Sequence, residues 1–188
     1  SWQISAGYRS VAYQQKLFDD KVYSYRQQGM TGAQARSAAR KLVADPGCSE
    51  HHTGLAFDIT VPGTSFGGTK QAKWLEEHCW EWGFILRYPA DKTAITGITN
   101  EPWHFRYVGA PHAQLMETNG LCLEEYRDFL RQGPRSVALE NGRMAQVFYV
   151  PAAGAVTEVE VPEGCCQISG DNVEGFILTW WGDTHENG

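Results

Sequence analysis

Residues 49–58 read Ser49-Glu50-His51-His52-Thr53-Gly54-Leu55-Ala56-Phe57-Asp58. From Gly54 onward the run 54–61 is rich in β-forming side chains and stops at Pro62-Gly63, which predicts a strand whose residues alternate between two sheet faces. Ala56 and Asp58 then share one face. A buried strand seldom turns an Asp inward without a partner, and candidate partners stand in this same stretch and in Glu101-Pro102-Trp103-His104. Two imidazoles and a carboxylate suit a borderline ion such as zinc, and three protein ligands leave a fourth position for a reactive water. Glu101 lies three residues before His104, near enough to sit beside a metal yet free to act as base instead of ligand. The spacing differs from the helical H-E-x-x-H arrangement.

Working outward, residues 2–8 alternate apolar with small or polar side chains and predict a short strand that delivers Arg9 to its end. Ser10 then caps a helix over 11–28, with apolar residues at Tyr13, Leu17, Phe18, Val22 and Tyr25 and Gly29 beyond its end. Thr31 and Gln34 have capping-box spacing before an Ala-rich helix reaching Val43, ended by Asp45-Pro46-Gly47. A third helix is expected over 70–82, with Trp74, Trp80 and Trp82 in the core. Strands follow at 84–88 and 103–108, separated by a polar loop over 89–100. Short helices are expected at 112–118 and 123–132. After Gly133-Pro134 come β-like runs at 145–150, 156–161 and 176–181; in the middle one Thr157, Val159 and Val161 would face inward. The expected fold class is α+β: helices packed on a central antiparallel sheet carrying the metal site, with a small C-terminal β appendage. The expected boundary separates a catalytic region, 1–132, from an acidic appendage, 133–188, packed on or next to it.

The 188 residues suffice for a real core, and 42% hydrophobic content argues against disorder. The formal charge of −6 lacks the basic footprint of a nucleic-acid binder. It is unevenly placed, with a net of +1 over residues 1–120 and −7 over 121–188. No apolar run is long enough to span a bilayer. The chain opens on Ser1 instead of Met, so a processed or truncated chain is expected, with any signal or anchor outside it. Cys48, Cys79, Cys122, Cys165 and Cys166 show no C-x-x-C spacing, and free buried thiols are expected in place of disulfides.

Three separated motifs carry a family resemblance. Ser-Ala-Gly-Tyr-Arg-Ser at 5–10, Ser-x-His-x-x-Gly-x-Ala-x-Asp at 49–58 and Glu-Pro-Trp-His-Phe-Arg-Tyr-Val-Gly at 101–109 together resemble a VanY-type D-alanyl-D-alanine carboxypeptidase. That branch of the zinc peptidases shares a fold with lysostaphin and the hedgehog signalling domain, and the resemblance spans about residues 2–120. It implies one zinc ion held by His51, Asp58 and His104, with Glu101 as general base toward the metal-bound water and then as proton donor to the leaving amine. Arg9 would stabilise the oxyanion. Gln14 and Ser49 match positions that contact the terminal dipeptide in the family.

Other side chains have plainer expectations. Tyr88 and Trp103 are pocket candidates, and Arg87 and Arg106 are expected to brace the sheet or the loop. His52 should point away from its neighbour on an extended segment, in a supporting or surface role, and His78, His112 and His185 are expected as surface or packing residues. The implied partner is a peptidoglycan stem peptide ending in D-Ala-D-Ala, met outside the cytoplasmic membrane by an exported or anchored monomer. An L,D-carboxypeptidase, a peptidoglycan endopeptidase, and a zinc-containing binding module are alternatives on the same scaffold. Vancomycin resistance and housekeeping trimming of the wall are both open roles for such an enzyme.

Overall fold

A computed structural model describes residues 1–139 and 142–182, so the expectation for His185 lies outside the described residues. The chain divides into two units, Ser1–Val108 and the residues from Gly109 onward.

In the first unit, β1 (Gln3–Ala6) leads to α1 (Val11–Gln27) and α2 (Gly32–Arg40). Ser10 caps α1 by accepting from the Tyr13 N–H, and the Thr31/Gln34 capping box opens α2. The face of α1 that turns inward carries Gln14 and Phe18, whereas Tyr13 is exposed. A fully buried Gln on a core face is a polar group held for a reason. Strand β2 (Ala56–Thr60), helix α3 (Lys70–His78), strand β3 (Phe84–Leu86), the single-turn α4 (Thr93–Thr96) and β4 (His104–Tyr107) complete the unit.

The sheet is antiparallel throughout, in the order β1-β2-β4-β3. Its register matters most at one rung, where Asp58 stands opposite His104, with Ala6 opposite Asp58 on the other side. Directly opposed residues share a face with their Cβ atoms roughly 5 Å apart, so strand pairing alone brings a carboxylate and an imidazole together. The alternate face is apolar: Phe57, Ile59, Phe84, Leu86 and Phe105 pack with Phe66 and with Ala72 and Leu75 of α3. Each of these strands thus divides core from chemistry by its period of two.

The expected third helix is shorter than its apolar pattern suggests. It ends at His78 and continues as a 3₁₀ turn, Cys79–Trp82, closed by Gly83 at φ +78°. The change in winding moves the following residues off the core face, so Trp82 is exposed and Trp80 half-buried. Trp74 lies within α3 but is also exposed, the buried face of that helix being Ala72 and Leu75, so none of the three tryptophans is core.

The second unit contains α5 (Ala110–Asn119), α6 (Leu123–Arg131) and a sheet of β5 (Arg135–Ala138), β6 (Met144–Pro151), β7 (Cys165–Gly170) and β8 (Gly175–Gly182), in the order β5-β6-β8-β7. Tyr126 and Leu130 of α6 are buried in this unit, as are Val137, Val147 and Leu178 of its sheet. The expected strand at 156–161 does not form. Residues 165–170 pair with β8 in its place. Cys79 and Cys122 are buried thiols, as expected, but Cys48, Cys165 and Cys166 are exposed. Among the described residues no helix is long and apolar enough to cross a membrane.

His112 is a packing residue of this unit: its Nδ1 lies 2.8 Å from the Tyr126 hydroxyl and its Nε2 3.1 Å from Thr179 Oγ1. Burial pushes its pKa down from 6.5 to about 4. Between those values the unfolded chain takes a proton that the folded chain refuses, so stability falls as pH drops through that window. The expected loss approaches roughly 3 kcal/mol at the acid end. Denaturant unfolding of the parent and of His112→Gln at pH 7 and pH 5 checks it: the variant should lose much of this pH dependence, and an equal dependence in both would contradict the assignment.

Candidate active site

The site is built where the 3₁₀ turn Glu50–Thr53 meets the Asp58–His104 rung. Ser49 caps that turn, its hydroxyl accepting from the His51 N–H at 3.3 Å. Gly54, at φ +72°, ends it and turns the chain into β2. The same short turn carries two histidines that clasp the chain beyond β1. His51 Nδ1 lies 2.7 Å from the Gly7 carbonyl, the Arg9 N–H donates to the His51 carbonyl at 3.2 Å, and His52 Nδ1 lies 2.7 Å from the Arg9 carbonyl. His52 Nε2 also accepts from the Gly47 N–H at 3.2 Å, so this neutral ring donates through Nδ1. It is half-buried in a turn, not on the extended segment expected, and its role is to support the Arg9 backbone.

With Nδ1 committed to Gly7, His51 turns Nε2 inward, 3.3 Å from Asp58 Oδ1. His104 approaches the same oxygen with Nδ1 at 2.9 Å. The three ligand atoms offered by His51, Asp58 and His104 lie within 4.8 Å of one another, and all three residues are buried. Two imidazoles meeting one carboxylate oxygen at a shared point form a donor set that fits a tetrahedral N/O-binding ion with one position to spare.

The electrostatics follow from this crowding. Burial raises the Asp58 carboxyl, but hydrogen bonds from His104 and His51 outweigh it and hold the group far below the usual carboxylate range. His104 goes the other way: burial disfavours its charge, yet Asp58 and Glu50 raise it to about 9. Glu101 is also buried, and its Oε2 is 3.9 Å from His104 Nδ1. Desolvation drives its pKa up to about 7, helped by the charges of Asp58 and Glu50 and opposed by His104 and Arg9. Two carboxylates in one pocket are thus set apart, one kept ionised and one poised near neutrality.

Arg9 donates from one guanidinium nitrogen to Asp58 Oδ2 at 2.5 Å and from the other to Gln14 Oε1 at 3.4 Å. Gln14, 1% exposed, donates in turn to the Ala44 carbonyl at 2.9 Å. The buried amide seen on α1 therefore ties Arg9 to the segment after α2. Tyr88 sets its ring 5.2 Å from that of His104, and the Trp103 carbonyl accepts from Ile59. All nine residues expected from the sequence, Arg9, Gln14, Ser49, His51, Asp58, Tyr88, Glu101, Trp103 and His104, line one cavity of about 430 Å³. Its remaining wall comes from α1, from Glu50, and from Leu42, Val43, Ala44 and Ile98.

The profile of the VanY family, described as D-alanyl-D-alanine carboxypeptidase, matches residues 1–110. The chain belongs to the VanY family. A D-alanyl-D-alanine carboxypeptidase of Enterococcus faecium is 38% identical over 186 residues, covering 98% of this chain and 55% of that protein. Another, from Enterococcus faecalis, is 50% identical over 123 residues, covering 65% of this chain and 46% of its own length. The chain spans about half the length of these two curated relatives. Among solved structures, a mutant of the vancomycin-resistance D,D-pentapeptidase VanY in complex with Zn(II) is 50% identical with a TM-score of 0.62, covering 66% of this chain and 70% of that one.

One part of this VanY-family site escaped the sequence reading. Glu50 is nearly enclosed, its Oε1 2.8 Å from Arg87 Nε and 3.3 Å from Arg106, and its Oε2 3.4 Å from His104 Nε2. Arg87 and Arg106, expected to brace sheet or loop, hold this carboxylate. The only signal in the sequence was a Glu between Ser49 and His51, and nothing in its spacing distinguishes an inward from an outward side chain in a turn.

Proposed function

We propose that this chain is a zinc-dependent D-alanyl-D-alanine carboxypeptidase that removes the terminal D-alanine from peptidoglycan stem peptides. The observation that carries the reading is the convergence of His51, Asp58 and His104 with Glu101 and Arg9 in one cavity. His51, Asp58 and His104 would hold the ion. Zinc, when bound, supplies Lewis acidity that polarises the scissile carbonyl and acidifies water toward a pKa of about 7.

The chain's own groups do the rest. Glu101 Oε2 takes a proton from the attacking water, and the carboxyl so formed returns it to the departing D-alanine amine. Its poise near 7 suits both halves of that cycle. Arg9 places a guanidinium beside Asp58, where it can meet the oxyanion. Gln14, by anchoring Arg9, keeps the guanidinium from following its charge toward water, and Ser49, Tyr88 and Trp103 offer contacts to the terminal dipeptide. The catalytic chemistry belongs to the unit Ser1–Val108. The enzyme acts as a monomer at the bacterial cell envelope, where its substrate lies.

Quantifying the products released from a synthetic stem pentapeptide, the matching tetrapeptide and a cross-linked dimer tests the reading: free D-alanine from the first two, separated peptide strands from the third. Release from the pentapeptide at least about 100-fold faster than from the tetrapeptide is expected, since the residue donating the scissile carbonyl is D-Ala in the first and an L-configured residue with a long side chain in the second, and pocket shape sets that choice. Preference for the tetrapeptide would make it an L,D-carboxypeptidase, and cleavage of the dimer alone an endopeptidase. A zinc-loaded chain that hydrolyses none of the three would be a binding module.

A further inference from the structure

We propose that Glu50 is a positioning residue that orients His104 for the metal, an inference that rests on the zinc reading above. His104 has two ring nitrogens with different neighbours. Nδ1 faces Asp58 Oδ1 at 2.9 Å, on the side where the three residues of the metal group converge, while Nε2 faces Glu50 Oε2 at 3.4 Å. A carboxylate on the distal nitrogen keeps the proton on Nε2, leaves the Nδ1 lone pair free for an ion and fixes the plane of the ring. His51 shows the mirrored arrangement, with Nδ1 on the Gly7 carbonyl and Nε2 inward. Each histidine is thus oriented by an acceptor behind it, one a backbone oxygen and the other a side chain.

Glu50 is not itself a ligand. Its Oε1 is engaged by Arg87 and Arg106, and its Oε2 meets the nitrogen of His104 that points away from Asp58. The two arginines also explain how a carboxylate can be kept in this place, since a buried charge persists only when paired. Arg106 stands two residues beyond His104 on β4, on the same face, and the Arg87 N–H donates to the His104 carbonyl at 3.1 Å. The clamp and the ring it orients are therefore carried by one strand and its neighbour.

The test is the zinc dissociation constant, measured by chelator competition for the parent chain, Glu50→Ala and Glu50→Gln, with the melting temperature of each metal-free protein taken alongside. Glu50→Ala should bind zinc about 10–100-fold more weakly. Glu50→Gln keeps an oxygen that can accept from Nε2 and should lose less. Unchanged affinity in folded Glu50→Ala, whatever its melting temperature, would overturn the proposal and leave only a structural role. The parent chain provides a second reading that needs no variant: in the zinc-loaded protein, ¹⁵N shifts should show His104 protonated at Nε2 and metal-bound at Nδ1. The opposite pattern would overturn the proposal alone, whereas a parent chain that takes up no zinc would overturn the zinc reading with it.

Discussion

Glu101→Ala should lower kcat for D-alanine release by about 10²–10⁴-fold or more while leaving one zinc bound per chain. The separation of those two effects comes from the geometry. The carboxylate stands 3.9 Å from His104 Nδ1 and outside the group in which His51, Asp58 and His104 converge. Its backbone contribution, the carbonyl that accepts from the His104 N–H at 3.1 Å, survives the substitution, so His104 should stay in place. What disappears is a proton acceptor whose desolvated surroundings match its pKa to the working pH. Because the base acts ionised, kcat/KM should rise with pH through the Glu101 titration, and a bound cation would draw that titration below its metal-free position near 7. Kinetics with metal analysis on the same sample checks both points. Loss of zinc together with activity would make Glu101 a ligand and not a base.

Removal of the metal should have an equally large effect. The metal-free site places Asp58, Glu101 and Glu50 around two imidazoles, with His104 raised to about 9 and therefore carrying a proton at neutral pH. In that state the donor set is an internal ion pair with nothing to polarise a carbonyl, and D-alanine release should fall to background. Zinc uptake must displace the His104 proton, so affinity should weaken as pH falls. Binding should also stabilise the folded chain, by about 2.7 kcal/mol at a free zinc concentration of 100 times Kd, seen as a rise in melting temperature.

How far the sequence could reach is clearest at the Asp58–His104 rung. Period-two alternation was enough to place Asp58 on a polar face, and the motif spacing was enough to nominate His104. The register that sets them opposite each other is a tertiary fact, decided by how β2 and β4 slide to pack Phe57 against Phe105. Gln14 was nominated by resemblance, but its burial and its hold on Arg9 depend on where α1 docks. Glu50 was illegible because a four-residue 3₁₀ turn has no periodicity to read, and its arginine partners come from two other strands or their ends. Trp80 and Trp82 differ from expectation for a local reason: the apolar pattern continues past His78 while the α-helical winding does not. The acidic run 156–161 had a strand's alternation, but pairing is competitive, and 165–170 takes the edge of β8.

This cavity should become a carboxypeptidase when His51, Asp58 and His104 hold one zinc ion. The most direct test is to titrate the metal-free chain with zinc while recording D-alanine release from a stem pentapeptide ending in D-Ala-D-Ala. No release is expected at the start, then a linear rise and a plateau at one equivalent of zinc. Undiminished release from the metal-free chain, or none at one equivalent, would contradict it.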